Sequence, residues 1–173
     1  RVHISCESFD HAFEKAKKIL KRKKIACFAY IDPFEFTALP LDEFIFLSEC
    51  EYTDMLLFIP SSFARRFKEN KHVEVNPEII RNTKHEDIHR VICEHRFRKL
   101  IREKNYRVAP FSIKKKSNIY GLIFGSPNFR GLQKFLEICW KEDPVSGEAS
   151  YNINKEYSYE DTPLFAELVE REP

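Results

Sequence analysis

The chain has 173 residues, 43% of them hydrophobic and 14% aromatic, so its length and composition allow one domain with a sizeable core. Its 29 basic and 27 acidic residues nearly cancel, which excludes a strongly cationic, histone-like nucleic-acid binder but allows a local basic patch. No apolar run reaches the roughly 18 residues that a membrane-spanning helix needs. We therefore expect no membrane association. The five cysteines are scattered without a C-x-x-C spacing, which favours a reducing cytoplasm.

The first half of the chain alternates predicted strands and helices. A short strand is predicted at residues 2–5, and Ser8 can cap the amphipathic helix that follows. Residues 25–31 are continuously apolar between charged residues, which predicts a strand buried on both faces. A second helix is predicted to begin at Pro40, and residues 54–59 form a second apolar strand that leads into a short helix.

The second half adds a hairpin between helices. In chain order the predicted elements are a polar loop or insertion at 69–84, a long charged helix at 85–104, strands at 106–113 and 118–124, and a helix carrying Leu132, Phe135, Leu136 and Cys139. The order predicts an α/β fold with a mainly parallel sheet, to which the hairpin adds one antiparallel strand. We expect this domain to cover residues 1–144 and residues 145–173 to form a polar tail that leads into further sequence.

The turn Asp32-Pro33-Phe34 follows the first long strand. Ligands bind beyond the carboxyl ends of the strands in open parallel sheets, so these residues are candidates for a catalytic role. A carboxylate can accept a hydrogen bond from an amine or hydroxyl, and an aromatic ring can stack on a planar group. The same tripeptide is also an ordinary turn.

Basic residues follow at the same predicted edge. Arg65 and Arg66 come after the next strand, together with Ser61 and Ser62. The run Lys114-Lys115-Lys116 lies at the hairpin tip, where a strand parallel to the others would end. These arginines and lysines are the candidate substrate-binding residues, because they can hold phosphate groups of a nucleic acid. Alternatively, they form a solvated surface.

Residues 85–89 read His-Glu-Asp-Ile-His, the H-E-x-x-H pattern of zinc proteases. His85 and His89 would bind the metal, and Glu86 would act as the base. The longer form of the pattern needs a glycine before its third ligand, and this chain has Ile92 there. An unbroken helix would turn His95 away from the other two histidines. A zinc hydrolase therefore stays as an alternative hypothesis.

Two segments, residues 28–67 and 120–144, resemble the three-Cys-motif partner proteins, a bacterial and archaeal family with a class I methyltransferase-like fold. The matching features are Asp32, Pro33 and Phe34, then Arg65 or Arg66, Tyr120 to Phe124, Gly131, Leu132, Trp140, Asp143 and Pro144. The chain departs from the family at Glu35, where a glycine is common, and at Asn128, where many members have histidine. The cysteines of the family name belong to a partner protein.

The resemblance implies a missing cofactor loop. All four glycines lie at or after Gly121, whereas a class I methyltransferase sheet opens with a glycine-rich turn that holds S-adenosylmethionine. Residues 2–5, 25–31 and 54–59 would then be the third, fourth and fifth strands, with the hairpin as the sixth and seventh. Cys6 or Glu7 would lie near the cofactor's adenine. The chain would be a fragment without the first two strands.

Three functional hypotheses follow. In the first, a fragment of a methyltransferase-like protein acts on or near nucleic acid, with Asp32 facing the target amine or hydroxyl and Phe34 stacking on a flipped base. In the second, a non-catalytic module binds a protein partner or nucleic acid and makes no use of Asp32. The third is the zinc hydrolase.

Overall fold

The structure is a computed structural model, and it describes residues 6–22, 25–32, 41–66, 69, 73, 75–103, 105–115 and 118–144. Its centre is a four-stranded sheet in the order β1-β2-β4-β3. The strands are β1 (Cys27–Ile31), β2 (Thr53–Ile59), β3 (Arg107–Lys115) and β4 (Asn118–Ser126). The predicted strand at residues 2–5 lies outside the described residues, as does the tail at 145–173.

The sheet is mixed, which corrects the expectation of a mainly parallel one. β1 pairs with β2 in parallel, whereas β4 is antiparallel to β2 on one side and to β3 on the other. The predicted hairpin and its one antiparallel strand are confirmed. Because β4 inserts between β2 and β3 instead of adding at an edge, one reversed strand makes two antiparallel pairings. The other three strands still point in the same direction.

Helices connect the strands, and all of them except the last pack on one face of the sheet. In chain order they are α1 (Phe9–Arg22), α2 (Leu41–Ser48), α3 (Ser61–Arg66), α4 (Pro77–Asn82), α5 (Ile88–Ile92), α6 (Arg98–Leu100) and α7 (Phe129–Glu142). The core lies between this face and α1, α2 and α5. Phe13 of α1 packs edge-on against Phe46, and Phe44 of α2 packs against Phe97.

Two predicted stretches differ from the structure. The polar stretch 69–84 contains α4, which begins at Pro77 and is capped by the side chain of Asn76. The long helix predicted at 85–104 ends at Leu100 and is interrupted. It consists of a 3₁₀ turn (His85–Asp87), α5, a π-helical turn (Cys93–Phe97) and α6. The helix propensities of the residues do not predict where an α-helix changes to a 3₁₀ or π-helical turn.

The opposite face of the sheet is only partly covered. α7 lies over β3 and β4, where Phe135 stacks on Phe124 and contacts the ring edge of Phe111. On β1, by contrast, Phe28 is 61% exposed and Tyr30 is 58% exposed. The prediction that residues 25–31 are buried on both faces is therefore wrong. Nothing in the described part of the chain covers the outer face of this edge strand, so its apolar run reflects only one buried side.

Two glycines of β4 let neighbouring elements approach the sheet closely. A Cβ atom at Gly121 would lie 2.7 Å from Cβ of His89 and 2.8 Å from Oγ of Ser61. At Gly125 it would lie 2.7 Å from the ring of Tyr106. Contacts this short are not tolerated between real atoms, so the packing of α3 and α5 on β4 depends on the missing side chain at Gly121.

We expect Gly121→Ala to lower the free energy of unfolding by about 1–3 kcal/mol, because the added methyl group forces α5 away from β4. Urea denaturation monitored by circular dichroism measures the change. The control is Asn118→Ala at the exposed start of β4, which should leave the midpoint nearly unchanged. An unchanged midpoint for Gly121→Ala would contradict the packing described.

The buried hydroxyl of Tyr106 provides a second test. It has no hydrogen-bond partner among the described residues, and burial together with the charge of Asp54 raises the pKa of the phenol. We expect Tyr106→Phe to leave the free energy of unfolding within about 1 kcal/mol of the wild-type value or to increase it. The same denaturation experiment measures this, with Tyr52→Phe at an exposed site as the control. A decrease well above about 1.5 kcal/mol, the upper range for one hydrogen bond, would mean that the hydroxyl has a partner.

Candidate functional site

The carboxyl ends of β1, β2 and β3 lie at one edge of the sheet, because these strands point in the same direction. This edge, here called the rim, carries the predicted catalytic and substrate-binding residues that the structure describes. Asp32 follows β1, Arg65 and Arg66 belong to α3 directly after β2, and Lys114 and Lys115 end β3. Pro33, Phe34 and Lys116 lie outside the described residues. The described catalytic and substrate-binding candidates thus lie at one edge of the sheet.

Ser62 joins three elements at the rim. Its hydroxyl oxygen accepts the backbone N–H of Ile119 at 3.0 Å, so it ties α3 to the start of β4. The same oxygen lies 3.2 Å from the carbonyl oxygen of Ile119 and 3.2 Å from Nε2 of His85. The hydroxyl proton therefore has two acceptors within reach, one on the backbone and one on an imidazole.

His85 belongs to the rim, although the sequence indicated a metal-binding role for it. Burial lowers the pKa of His85, and the neighbouring charge of Arg65 lowers it further. Glu86 acts in the opposite direction and raises this pKa, while Lys114 again lowers it. All of these groups act on one imidazole, so α3, the 3₁₀ turn and the end of β3 converge there.

The basic side chains of the rim have no acidic partner among the described residues. Arg65, Arg66, Lys114 and Lys115 make no ion pair there. Basic residues in ion pairs elsewhere are Lys15, Lys17, Arg81, Arg98, Arg102 and Lys134. The rim therefore presents positive charge that is not neutralised locally, which favours an anionic ligand.

The two histidines of the H-E-x-x-H pattern occupy different environments. His85 lies beside Ser62 at the rim, whereas His89 is fully buried in α5 against Gly121 of β4. The part of the chain that the structure describes contains no group of three or more His, Cys, Asp and Glu side chains able to hold a metal ion. This arrangement gives no support to the zinc alternative.

Glu7, the predicted cofactor contact, is held by its neighbours at the start of α1. Its carboxylate accepts a hydrogen bond from Nζ of Lys15 at 2.6 Å and lies 3.0 Å from Nδ1 of His11. Its side chain is 17% exposed. The structure therefore gives Glu7 a local role in fixing the entry to α1.

A cleft of about 420 Å³ at the opposite edge was not predicted from the sequence. It lies near the amino ends of β1 and β2, and Phe28, Tyr52, Asp54 and Asn128 are among its lining residues. These residues are far apart in the chain, and no spacing pattern links them. Only the pairing of β1 with β2 and of β2 with β4 brings them together.

The cysteines are all free thiols, and two of them lie close to this cleft. Burial is the main cause that raises the pKa of both Cys27 and Cys50. A thiol with a raised pKa is less reactive. This chemistry favours a structural role for the pair.

Comparison with known proteins gives no relative for this chain. No protein-family model, curated protein or solved structure matches it. Among the described residues, no helix has the length and apolarity needed to cross a membrane.

The electrostatics of the rim can be tested at His85. We expect Arg65→Gln to raise the pKa of His85, because the guanidinium disfavours the charged imidazole, and Glu86→Gln to lower it. NMR titration of the imidazole Cε1–H signal measures both changes. Lys99→Gln, an exposed site in α6, is the control and should change nothing. Shifts of the same sign in the two rim variants would contradict this description.

Proposed function

We propose that this chain carries the later part of a class I methyltransferase-like domain that acts on or near nucleic acid, as its resemblance to the three-Cys-motif partner proteins implies. The observation that carries the proposal is the rim, where Asp32 shares one edge with basic side chains that have no acidic partner among the described residues. A nucleic acid suits both kinds of side chain, since its phosphates attract cations and the amines of its bases can donate hydrogen bonds to a carboxylate.

The strand order supports the fold part of the proposal. If β1 and β2 correspond to the fourth and fifth strands of such a sheet, the hairpin provides the sixth and seventh. Under this correspondence we expect one strand of the hairpin to run antiparallel to the rest of the sheet. β4 is that strand. The uncovered face of β1 at Phe28 and Tyr30 is also where further chain would pack.

The described residues do not fit an S-adenosylmethionine site by themselves. No glycine precedes Gly121, so a glycine-rich turn is absent from residues 1–120. Glu7, the predicted contact, is held by Lys15 and His11. The proposal therefore requires that most of the cofactor site come from sequence upstream of residue 1.

The rim residues can nevertheless be given roles in binding. Arg65, Arg66, Lys114 and Lys115 hold the phosphate backbone, and this sets the register of the nucleic acid at the rim. Asp32 is exposed beside the strand end and is free to accept a hydrogen bond from a base amine or a hydroxyl. The free thiols suit the cytoplasmic location that we also propose.

A non-catalytic module is the second candidate function. The observation that favours it is that the unpaired basic residues would attract nucleic acid whether or not Asp32 takes part. The two candidates differ only in the need for Asp32 and for the cofactor. A single set of variants of the full-length protein can therefore separate them.

The test combines calorimetry with S-adenosylmethionine and fluorescence anisotropy with labelled single-stranded DNA and RNA. We expect the full-length protein to bind the cofactor and the double variant Lys114→Gln, Lys115→Gln to bind nucleic acid more weakly. The slope of log affinity against log salt should fall by about 0.7 for each phosphate that the variant no longer neutralises. Lys99→Gln is the matched control for the removal of a positive charge.

Asp32→Asn separates catalysis from binding. We expect it to leave nucleic-acid affinity nearly unchanged and to abolish methyl transfer to the nucleic acid, because the amide keeps the size but lacks the charged acceptor. Binding without any cofactor affinity would favour the non-catalytic module. Unchanged nucleic-acid binding in the lysine double variant would contradict the role of the rim.

A further inference from the structure

The rim contains a compact cluster that neither functional hypothesis uses in full. Ser62 bonds to the backbone of Ile119 and lies within hydrogen-bond distance of His85. Lys114 is the cross-strand partner of Ile119 in the β3–β4 ladder. Arg65 follows Ser62 by three residues in α3, which places both on one face of that helix. The His85 imidazole therefore lies beside this hydroxyl group and feels the charges of Arg65 from α3 and Lys114 from β3.

The three nitrogen-bearing groups are open to a ligand. Arg65 is exposed and Lys114 is half-buried, and neither is paired with a carboxylate in the described part of the chain. Nδ1 of His85 has no hydrogen-bond partner among the same residues. Glu86 is the acidic group that acts on His85, but its side chain is exposed and its influence is smaller than that of Arg65. The cluster thus keeps a net positive character.

We propose that Arg65, Lys114 and His85 together bind one phosphate group, with Ser62 as a positioning residue that orients the imidazole. The guanidinium offers paired N–H donors, the ammonium a point charge, and the imidazole a single directed N–H, a set of donors that suits phosphate oxygens. The identification of that phosphate as part of a nucleic-acid backbone rests on the proposed function. The anion site itself does not.

Ser62 is suited to hold His85 in both of its charge states. When His85 is neutral, the hydroxyl can donate to Nε2 while it accepts the N–H of Ile119. When His85 is protonated, Nε2–H donates to the hydroxyl, which turns its own proton to the carbonyl oxygen of Ile119. In either state Nδ1–H faces no protein acceptor among the described residues and is available to the anion. The imidazole can therefore gain a proton on binding when only the Ser62 hydroxyl rotates.

A bound phosphate raises the pKa of His85, because its negative charge opposes the effects of Arg65 and Lys114. Binding of an anion should accordingly strengthen as the pH falls through the range in which the imidazole titrates. The groups that act on this imidazole are Arg65, Glu86 and Lys114, with Ser62 in direct contact.

The first part of the experiment uses inorganic phosphate and the full-length protein. NMR titration of His85 is carried out in phosphate and in chloride at equal ionic strength. We expect phosphate to raise the pKa of His85 in the wild type but not in the double variant Arg65→Gln, Lys114→Gln. The variant Lys99→Gln should behave like the wild type. A His85 pKa that is the same in phosphate and in chloride would overturn the proposal.

The second part uses a labelled single-stranded oligonucleotide, whose phosphodiesters do not titrate near neutral pH. We expect the wild type to bind several-fold more tightly at about pH 6 than at about pH 8, and His85→Gln to lose this dependence while keeping the fold. Ser62→Ala should weaken the dependence, and Ser62→Thr, which keeps the hydroxyl, should restore it. A dependence that survives in His85→Gln would count against the site.

The two parts separate this proposal from the proposed function. If phosphate raises the pKa of His85 but no oligonucleotide binds, the phosphate site stands, its ligand is a free phosphate or a small phosphate ester, and the nucleic-acid function fails. If the oligonucleotide binds through Lys115 and Arg66 while phosphate has no effect on His85, the nucleic-acid function stands and the phosphate site fails.

Discussion

The fold depends on the placement of one reversed strand between two strands that point the other way. β4 pairs with β2 along one side and with β3 along the other. It is therefore the strand that joins the parallel β1–β2 pair to β3. It can lie there only because Gly121 and Gly125 leave room for His89 and Tyr106 on the core face. A side chain at either position would separate the sheet from the elements packed on it.

The placement of β4 also decides where the chemistry lies. Because β4 is reversed, β3 runs parallel to β1 and β2, and its lysines end at the same edge as Asp32 and the arginines of α3. Had β3 paired directly with β2 as an antiparallel strand, those lysines would lie at the opposite edge. The start of β4 meanwhile places the backbone of Ile119 beside Ser62 and His85.

The sequence predicted the local elements well and the tertiary environment less well. Apolar stripes located α1 and α7, and the turn at residues 114–117 located the hairpin, because these signals are local. The apolar run at residues 25–31 predicted a strand correctly, but the prediction that both of its faces are buried was wrong. The amino-acid composition of a strand does not show whether the strand lies at the edge of the sheet. α4 was missed because its signals, Asn76 and Pro77, sit in a polar stretch with only a short apolar pair.

At the candidate site, too, the sequence predicted the local positions of residues better than their tertiary contacts. The predicted ends of the strands indicated that Asp32, Arg65 and Lys114 share an edge of the sheet. His85, by contrast, was interpreted as a zinc ligand because of the H-E-x-x-H pattern. What places His85 beside Ser62 is the packing of the 3₁₀ turn on α3, which has no counterpart in the spacing of the motif. The phosphate site and its ligand stay proposals.

The β2–β4 pairing has a consequence for the order in which the fold is assembled. β3 and β4 are joined by a short turn, so their pairing closes only a short loop. Met55 of β2 and Gly125 of β4 are distant in sequence, so pairing these two strands closes a long loop and costs more conformational entropy. The bond from Ser62 to Ile119 secures that same junction from the other side. If an anion occupies the proposed phosphate site, its binding free energy adds at this closure, and the resistance of the fold to heat then rises with ligand concentration.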